Sequence, residues 1–392
     1  GSSMNTKIPR SLENDYTQEM AAIRRQFLFE QTGQVARNVG SYSFDPAILP
    51  GNIENFIGVA QVPIGLAGPL LVNGEYAKGR FYIPLATTEG TLVASYNRGM
   101  KLLEAAGGIT TTISDDAMQR APVFIFPSAR QAREFGKWVT ANFEHIKKEA
   151  DKTTHSGHLR DIEQYTASRL LFLRFNYTTG DAAGQNMVSK ATKSACDWIN
   201  SVYPGIEHYF LESNFATDKK SSYVNMLHTR GKRVTAEAII PGYLLEAITH
   251  TDPDQLLQAR QVINLGSFLA GAHSNGAHSV NGITALFIAT GQDVATIAEA
   301  SAELIYAEPR PGNNYYYSVT IPSLIVATYG GGTGLPTQRE CLEIMGCYGK
   351  DGVRKFAEIV AATVLCGELS LGTAVVSEEW VSSHERFGRN RR

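Results

Sequence analysis

The chain has 392 residues, 43% hydrophobic and 19% charged, a composition that excludes intrinsic disorder and leaves room for two or three folded domains with a large core. Thirty-six basic residues against 38 acidic ones give a net charge of −2 with no long block of either sign, which argues against nucleic acid or an anionic membrane as partner and for a small-molecule substrate. The four cysteines, Cys196, Cys341, Cys347 and Cys366, form no CxxC pair and no zinc-type spacing with the nine histidines, so no metal site is expected and a reducing, cytoplasmic setting fits.

Gly1-Ser2-Ser3 before Met4 resembles a tag scar, and neither a signal peptide nor a membrane span is expected. Residues 11–32 place Tyr16, Met20, Ile23 and Phe27 on one face of a helix that Gly33 can close. Residues 50–69 are too broken by glycine and proline for a helix and too apolar for a solvated linker. A strand at 80–85 then runs through Ala86-Thr87-Thr88-Glu89-Gly90 into a helix over 91–106.

Residues 122–211 read as a unit. An apolar run at 123–126 precedes Ser128 and Gln131, a capping box that opens a helix to about residue 150. Strands follow near 159–162 and 169–177, then a helix over 185–202 and a strand at 206–211. This βαββαβ order is that of a ferredoxin-like domain, a four-stranded antiparallel sheet under two helices.

The larger unit resumes at Asn214, with a strand at 233–240 ended by Pro241-Gly242. Residues 261–292 then carry no formal charge; as one helix they would span about 48 Å, the breadth of a domain. Asn264, Ser267, His273, Asn275, His278 and Asn281 within it need hydrogen-bond partners that lipid lacks, so the stretch is expected to be a buried central helix that delivers Asp293 to the middle of the protein. Residues 315–328 are β-rich and end in Gly330-Gly331-Gly332-Thr333, residues 355–374 look helical, and the tail from 382 is highly charged. The expected fold class is α+β: a large mixed domain (45–121 and 212–381) built around a long central helix, with an inserted ferredoxin-like (βαββαβ) small domain (122–211), an N-terminal helical segment (1–44) and a C-terminal tail (382–392).

Four ionisable residues stand among small neighbours: Glu89 in ATTEG, Lys219 in TDKKSS, Asp293 in GQD and His384 in SSHERFG. Each alone has an ordinary reading as a cap or a solvated group. Together they suit carbonyl chemistry, because a lysine held between carboxylates can stabilise an oxyanion while a neighbouring Glu donates a proton. Residues 180–187, GDAAGQNM, follow a strand and open a helix; they offer free N–H groups to a phosphate or make a tight turn, and they are not the GxGxxG of a Rossmann fold. The triple glycine is likewise either a close backbone approach to a ligand or a turn.

ENFIG (54–58), PIGLAGPL (63–70), PLATTEGTLVASYNRG (84–99), GDAAGQNM, TDKK (217–220), ATGQD (289–293), GGGT and CGELSL (366–371) with the later His384 occur in the order found in 3-hydroxy-3-methylglutaryl-CoA (HMG-CoA) reductases. From about residue 45 to the end the chain resembles that family, of class I type. The resemblance implies two hydride transfers from NADPH or NADH to a coenzyme A thioester, giving mevalonate and free CoA for isoprenoid synthesis. It implies that Lys219 stabilises the oxyanion, Glu89 donates the proton, Asp293 sits beside Lys219, and His384 protonates the leaving thiolate. Ser95, Asn97 and Arg98 match the CoA-contacting SxNRG, and Asn281 matches an Asn near the substrate. Arg120, Asn214 and Lys220 match positions around the acyl group's distal carboxylate. For the nucleotide, the matching positions are His155, Asp181, Ala183, Gly184, Gln185 and Asn186, with Gly331 and Gly332. The family's site is shared by two subunits, which implies a homodimer or a higher homo-oligomer.

Three positions depart from the pattern. Glu212 stands where the family has Ser, the Lys expected shortly before Gly266-Ser267 is missing with Arg260 the nearest stand-in, and His155 takes the place of an Arg that grips the 2′-phosphate of NADPH. These leave open the choice between NADH and NADPH, and a related reductase of another acyl-CoA or carrier-bound thioester. A non-catalytic CoA-binding relative is the third reading, against which the four catalytic positions count.

Overall fold

The computed structural model describes residues 5–155, 157–179 and 184–377. Helix α1, Gln18–Thr32, begins where Thr17 caps the Met20 N–H and ends at Gly33, whose φ of 75° is the left-handed value a helix end favours. It buries Met20, Ala21 and Arg24, while Ile23 of the expected apolar face is exposed. The reason is Arg24, which donates to the carbonyls of Pro9 and Phe56, pairs with Asp15, and so draws its own face inward.

Strands β1 (Ile64–Asn73) and β2 (Lys78–Ala86) form an antiparallel hairpin, followed by α2 (Leu92–Ala105) and β3 (Thr110–Arg120). The insertion comprises β4 (Val123–Ile125), α3 (Ala129–Ala141), α4 (Phe143–Asp151), β5 (His158–Ala167), β6 (Leu170–Thr178), α5 (Gln185–Val202) and β7 (His208–Phe210). Ser128 caps α3 as expected. The single helix expected after it is two: Asn142 leaves the helical region (φ −107°, ψ 19°), and its side-chain amide joins its own N–H in donating to the Trp138 carbonyl, each at 2.9 Å. The strands lie in the order β7-β4-β6-β5, all antiparallel, the ferredoxin-like arrangement.

The remaining elements are α6 (Tyr223–Leu227), β8 (Gly231–Pro241), α7 (Gly242–Leu244), α8 (Pro253–Ala270), α9 (Ser279–Thr290), α10 (Ile297–Ala300), β9 (Leu304–Arg310), β10 (Asn314–Leu324), α11 (Pro336–Ile344) and α12 (Val353–Ser377). β3 and β4 lie end to end along one edge of β6, so the insertion's sheet continues through β3 into β8, β10 and β9. Two apolar cores flank it. One gathers Phe124, Phe135, Leu173, Phe175 and Ile199 of the insertion; the other gathers Ile83, Tyr96, Phe287, Val319 and Phe356.

The stretch 261–292 is not one helix. α8 stops at Gly271 (φ 67°), residues 272–278 form a loop, and α9 starts afresh. The end of α8 is also not central, since Val262, Leu265, Phe268 and Leu269 are all more than half exposed. Glycine in the left-handed region ends α8, and a carboxylate from α12 captures the N–H groups that begin α9. The long central helix is α12, in which every residue from Phe356 through Ser370 is buried. It is long and apolar enough to cross a membrane, but 78% of its apolar window is enclosed by the protein, so it is a core helix.

Candidate active site

The loop that carries Lys219 is held in an unfavourable shape. Asn214, Thr217 and Lys219 have φ of 69°, 63° and 59°, a region that costs a residue with a Cβ about 1–2 kcal/mol. Buried polar groups maintain it. The Asn225 amide donates to the carbonyls of Thr217 (3.2 Å) and Lys220 (2.7 Å). Arg230, fully buried, pairs with Glu299 at 2.9 Å and Asp218 at 3.2 Å and donates to the Ala216 carbonyl. Glu299 in turn accepts the Lys219 backbone N–H. Burial raises the Glu299 carboxyl above its ordinary value, and Arg230 opposes that rise.

This anchoring turns the Lys219 side chain outward, where Nζ lies 4.0 Å from Asp293 Oδ2, both side chains about half exposed. α9 positions the partner: it ends at Gly291 (φ 71°), and Asp293 caps the next turn by accepting the Ala295 N–H at 3.0 Å through Oδ1. Its Oδ2 is left to face the lysine. A Cβ on Gly291 would collide with the Gly332 backbone, so the GQD and GGGT turns pack directly on each other.

Arg120, at the end of β3, bonds Ser189 at 2.9 Å and pairs with Glu212 (3.3 Å) and Asp218 (3.6 Å). Glu212 also accepts the Asn214 N–H at 2.9 Å. Lys220, two residues after Asp218, is exposed. Arg260 is not among them: it is buried and bonds Asn264 and the Asn275 carbonyl, because its face of α8 packs inward.

A second group forms where α2 meets α9 and α12. Asn97 accepts the Gly68 N–H at 2.9 Å, and Arg98 donates to the Ser370 hydroxyl at 3.0 Å. His278 links Ser95 and Asn281, with Nε2 3.2 Å from the Ser95 hydroxyl and Nδ1 3.1 Å from the Asn281 amide. Glu89 is exposed on the turn before α2, where its N–H donates to the Thr87 hydroxyl at 3.0 Å, and among the described residues it makes no ion pair with Lys219. In the insertion, Gly184 (φ 81°) precedes α5, and among the described residues no side chain caps that helix, which leaves its first N–H groups as candidates for a phosphate. His155 is exposed in the turn after α4. Asp181, Ala183 and His384 lie outside the described residues.

Sequence reasoning missed His278, Asn225, Arg230 and Glu299 as parts of this site. His278 stands three residues before Asn281, a spacing that puts both on one side of a helix start and was open to notice. The other three leave no local sign.

The match to the hydroxymethylglutaryl-coenzyme A reductase family model covers residues 20–389. The 3-hydroxy-3-methylglutaryl-coenzyme A reductase of Pyrococcus abyssi is 47% identical over 94% of this chain and 92% of its own length. That of Zea mays is 40% identical over 94% of this chain and 65% of its own. In three dimensions the chain is similar to the class II 3-hydroxy-3-methylglutaryl-CoA reductase of Streptococcus pneumoniae, solved with NADPH in open conformations: TM-score 0.69, 21% identity, 91% of this chain and 86% of that one. With a family model spanning nearly its whole length and relatives above 40% identity, the chain belongs to the hydroxymethylglutaryl-coenzyme A reductase family of oxidoreductases.

Proposed function

We propose that this protein reduces the thioester of HMG-CoA to mevalonate and free CoA, consuming two NAD(P)H. The observation that carries this reading is the Lys219–Asp293 pair, a cation held in place by a strained, internally anchored loop and faced by one carboxylate. NAD(P)H, when bound, supplies hydride to the carbonyl carbon. Lys219 stabilises the oxyanion formed at the carbonyl, and Glu89 supplies its proton. His384 protonates the departing thiolate of CoA, a task suited to an acid near neutral pKa. Ser95, Asn97, Arg98 and Asn281 bind the CoA and acyl portions; Arg120, Asn214 and Lys220 surround the distal carboxylate. The insertion, 122–211, would hold the nucleotide through Gly184, Gln185 and Asn186 at the α5 N-terminus, and Gly331 and Gly332 of the larger unit would contribute backbone N–H groups.

Lys219 and Asp293 are half exposed and Glu89 is exposed, which supports a homodimer whose second subunit completes and dries the site. Four free, buried cysteines suit a cytoplasmic setting.

A second reading, a reductase of another acyl-CoA, is favoured by one observation: Glu212 and Asp218 already compensate Arg120, which leaves less charge for a substrate carboxylate. The deciding experiment supplies HMG-CoA with NADH or NADPH separately, following absorbance and free thiol. Oxidation of two NAD(P)H per thiol supports the first reading. Failure with HMG-CoA alongside reduction of an acyl-CoA lacking the distal carboxylate would replace it with the second.

A further inference from the structure

Two carboxyl groups that take no part in the scheme above meet where α9 begins. Glu368, on α12, is 3% exposed and accepts the backbone N–H groups of Ala277 (2.9 Å), His278 (2.5 Å) and Ser279 (2.7 Å). Glu303, on the loop entering β9, has no exposure at all. Neither of its oxygens makes a hydrogen bond of good geometry, and it faces Glu368 and the Ser279 hydroxyl. The two converge on Gly276: a Cβ there would fall inside the Glu303 carboxyl and 2.9 Å from a Glu368 oxygen. The backbone of 276–279 is thus moulded onto this pair.

Two ionised carboxylates so close in a dry site repel each other strongly. Glu368, with three N–H donors, is the better anion. Glu303 has none, and burial together with the Glu368 charge holds its carboxyl well above the ordinary range. Arg260 from α8 is the cation facing the pair. Tyr96 from α2, Tyr317 and Tyr315 from β10, Cys366 from α12 and His278 complete the titratable surroundings; burial pushes the three phenols and the thiol upward, away from neutral pH.

We propose that Glu303 and Glu368 share one proton and act as a positioning pair for substrate binding. Protonated Glu303 donates to Glu368, the Glu368 carboxylate fixes residues 277–279, and His278 is thereby set between Ser95 and Asn281. The inference rests on the reading that Ser95 and Asn281 face the acyl-CoA. Loss of the shared proton puts two charges in one dry site and loosens His278. Binding then weakens more than turnover, because Lys219 hangs on the separate support of Arg230, Glu299 and Asn225, and Asp293 stands at the opposite, C-terminal end of α9, where it caps the Ala295 N–H.

The test measures kcat and KM for HMG-CoA from about pH 6 to 10, for wild type, Glu303→Gln and Glu303→Ala, with calorimetric binding of coenzyme A over the same range. For wild type, KM and the CoA dissociation constant should rise at the alkaline end while kcat holds. Glu303→Gln, a near-isostere whose amide keeps a donor that does not ionise, should lose that alkaline rise. Glu303→Ala should weaken both constants roughly tenfold at every pH, with kcat changed less than about threefold. A Glu303→Gln profile superimposable on wild type overturns the proposal, and this holds even where Glu303→Ala does not fold. Turnover failing while CoA binding keeps the pattern would sink the functional reading alone; normal turnover without the pattern would sink the pair alone; no CoA binding by any form would sink both.

Discussion

The guanidinium of Arg230 and the carboxylate of Glu299 meet at 2.9 Å, both side chains fully buried, directly beneath the loop that presents Lys219. Removing one partner strands the other as an uncompensated buried charge, at about 3–5 kcal/mol. Arg230→Leu should therefore lower the urea midpoint sharply at constant slope. Replacing both residues by Leu should recover much of the stability but not the turnover, since the Lys219 N–H loses its acceptor. A stable double variant with wild-type turnover would show that the loop holds its shape unaided.

Lys219→Ala and Glu89→Gln should each reduce kcat by about 10²–10³ while acyl-CoA still binds, the range found when one oxyanion-stabilising group is removed. Single-turnover kinetics with bound HMG-CoA measures this. Near-normal rates in either variant would remove that residue from the mechanism.

An arginine fork grips a 2′-phosphate through two bonds, whereas an imidazole offers a single contact. The neighbouring cations are already engaged: Lys152 pairs with Glu149 at 2.7 Å, and Arg160 lies 3.3 Å from both Asp115 and Asp161. The ratio of kcat/KM for NADPH over NADH should thus be small in wild type and rise roughly tenfold in His155→Arg. A strong NADPH preference untouched by the substitution would place the phosphate elsewhere.

Burial raises the carboxyls of Glu299 and Glu303 in the folded protein above the ordinary value of 4.5. The folded state then binds more protons than the unfolded one, so the stability they contribute is complete below about pH 4.5 and declines as pH rises through their folded values. Asp15, held low chiefly by the Ser11 N–H, acts in the opposite sense at acid pH. Unfolding free energies from denaturant titrations should fall toward alkaline pH, with a shallower fall in Glu303→Gln. An identical slope in that variant would exclude Glu303 as the source.

Much of the architecture was readable because it is local. The alternation and turn chemistry of residues 122–211 specified the βαββαβ order, Ser128 marked a helix start, and ATTEG, TDKK and GQD drew Glu89, Lys219 and Asp293 out of the background. Where local signals competed, the reading slipped. The uncharged run 261–292 reads as one buried helix, but absence of charge guarantees neither continuity nor burial: the left-handed Gly271 breaks it, and Val262, Leu265, Phe268 and Leu269 are more than half exposed.

By itself the sequence determined which residue types stand in each motif, the ferredoxin-like insertion and the helical character of 355–374, whose central, buried place as α12 it did not reveal. Only the tertiary structure decided what those residues meet. Lys219 and Asp293 are 74 positions apart and come within 4.0 Å because two unrelated turns pack together. Arg230 finds Glu299, and Glu368 finds the start of α9, across similar separations. A buried charge looks like any other charge in a sequence; its partner is chosen by the closing of the core, where leaving it unpaired is too costly for the fold to tolerate.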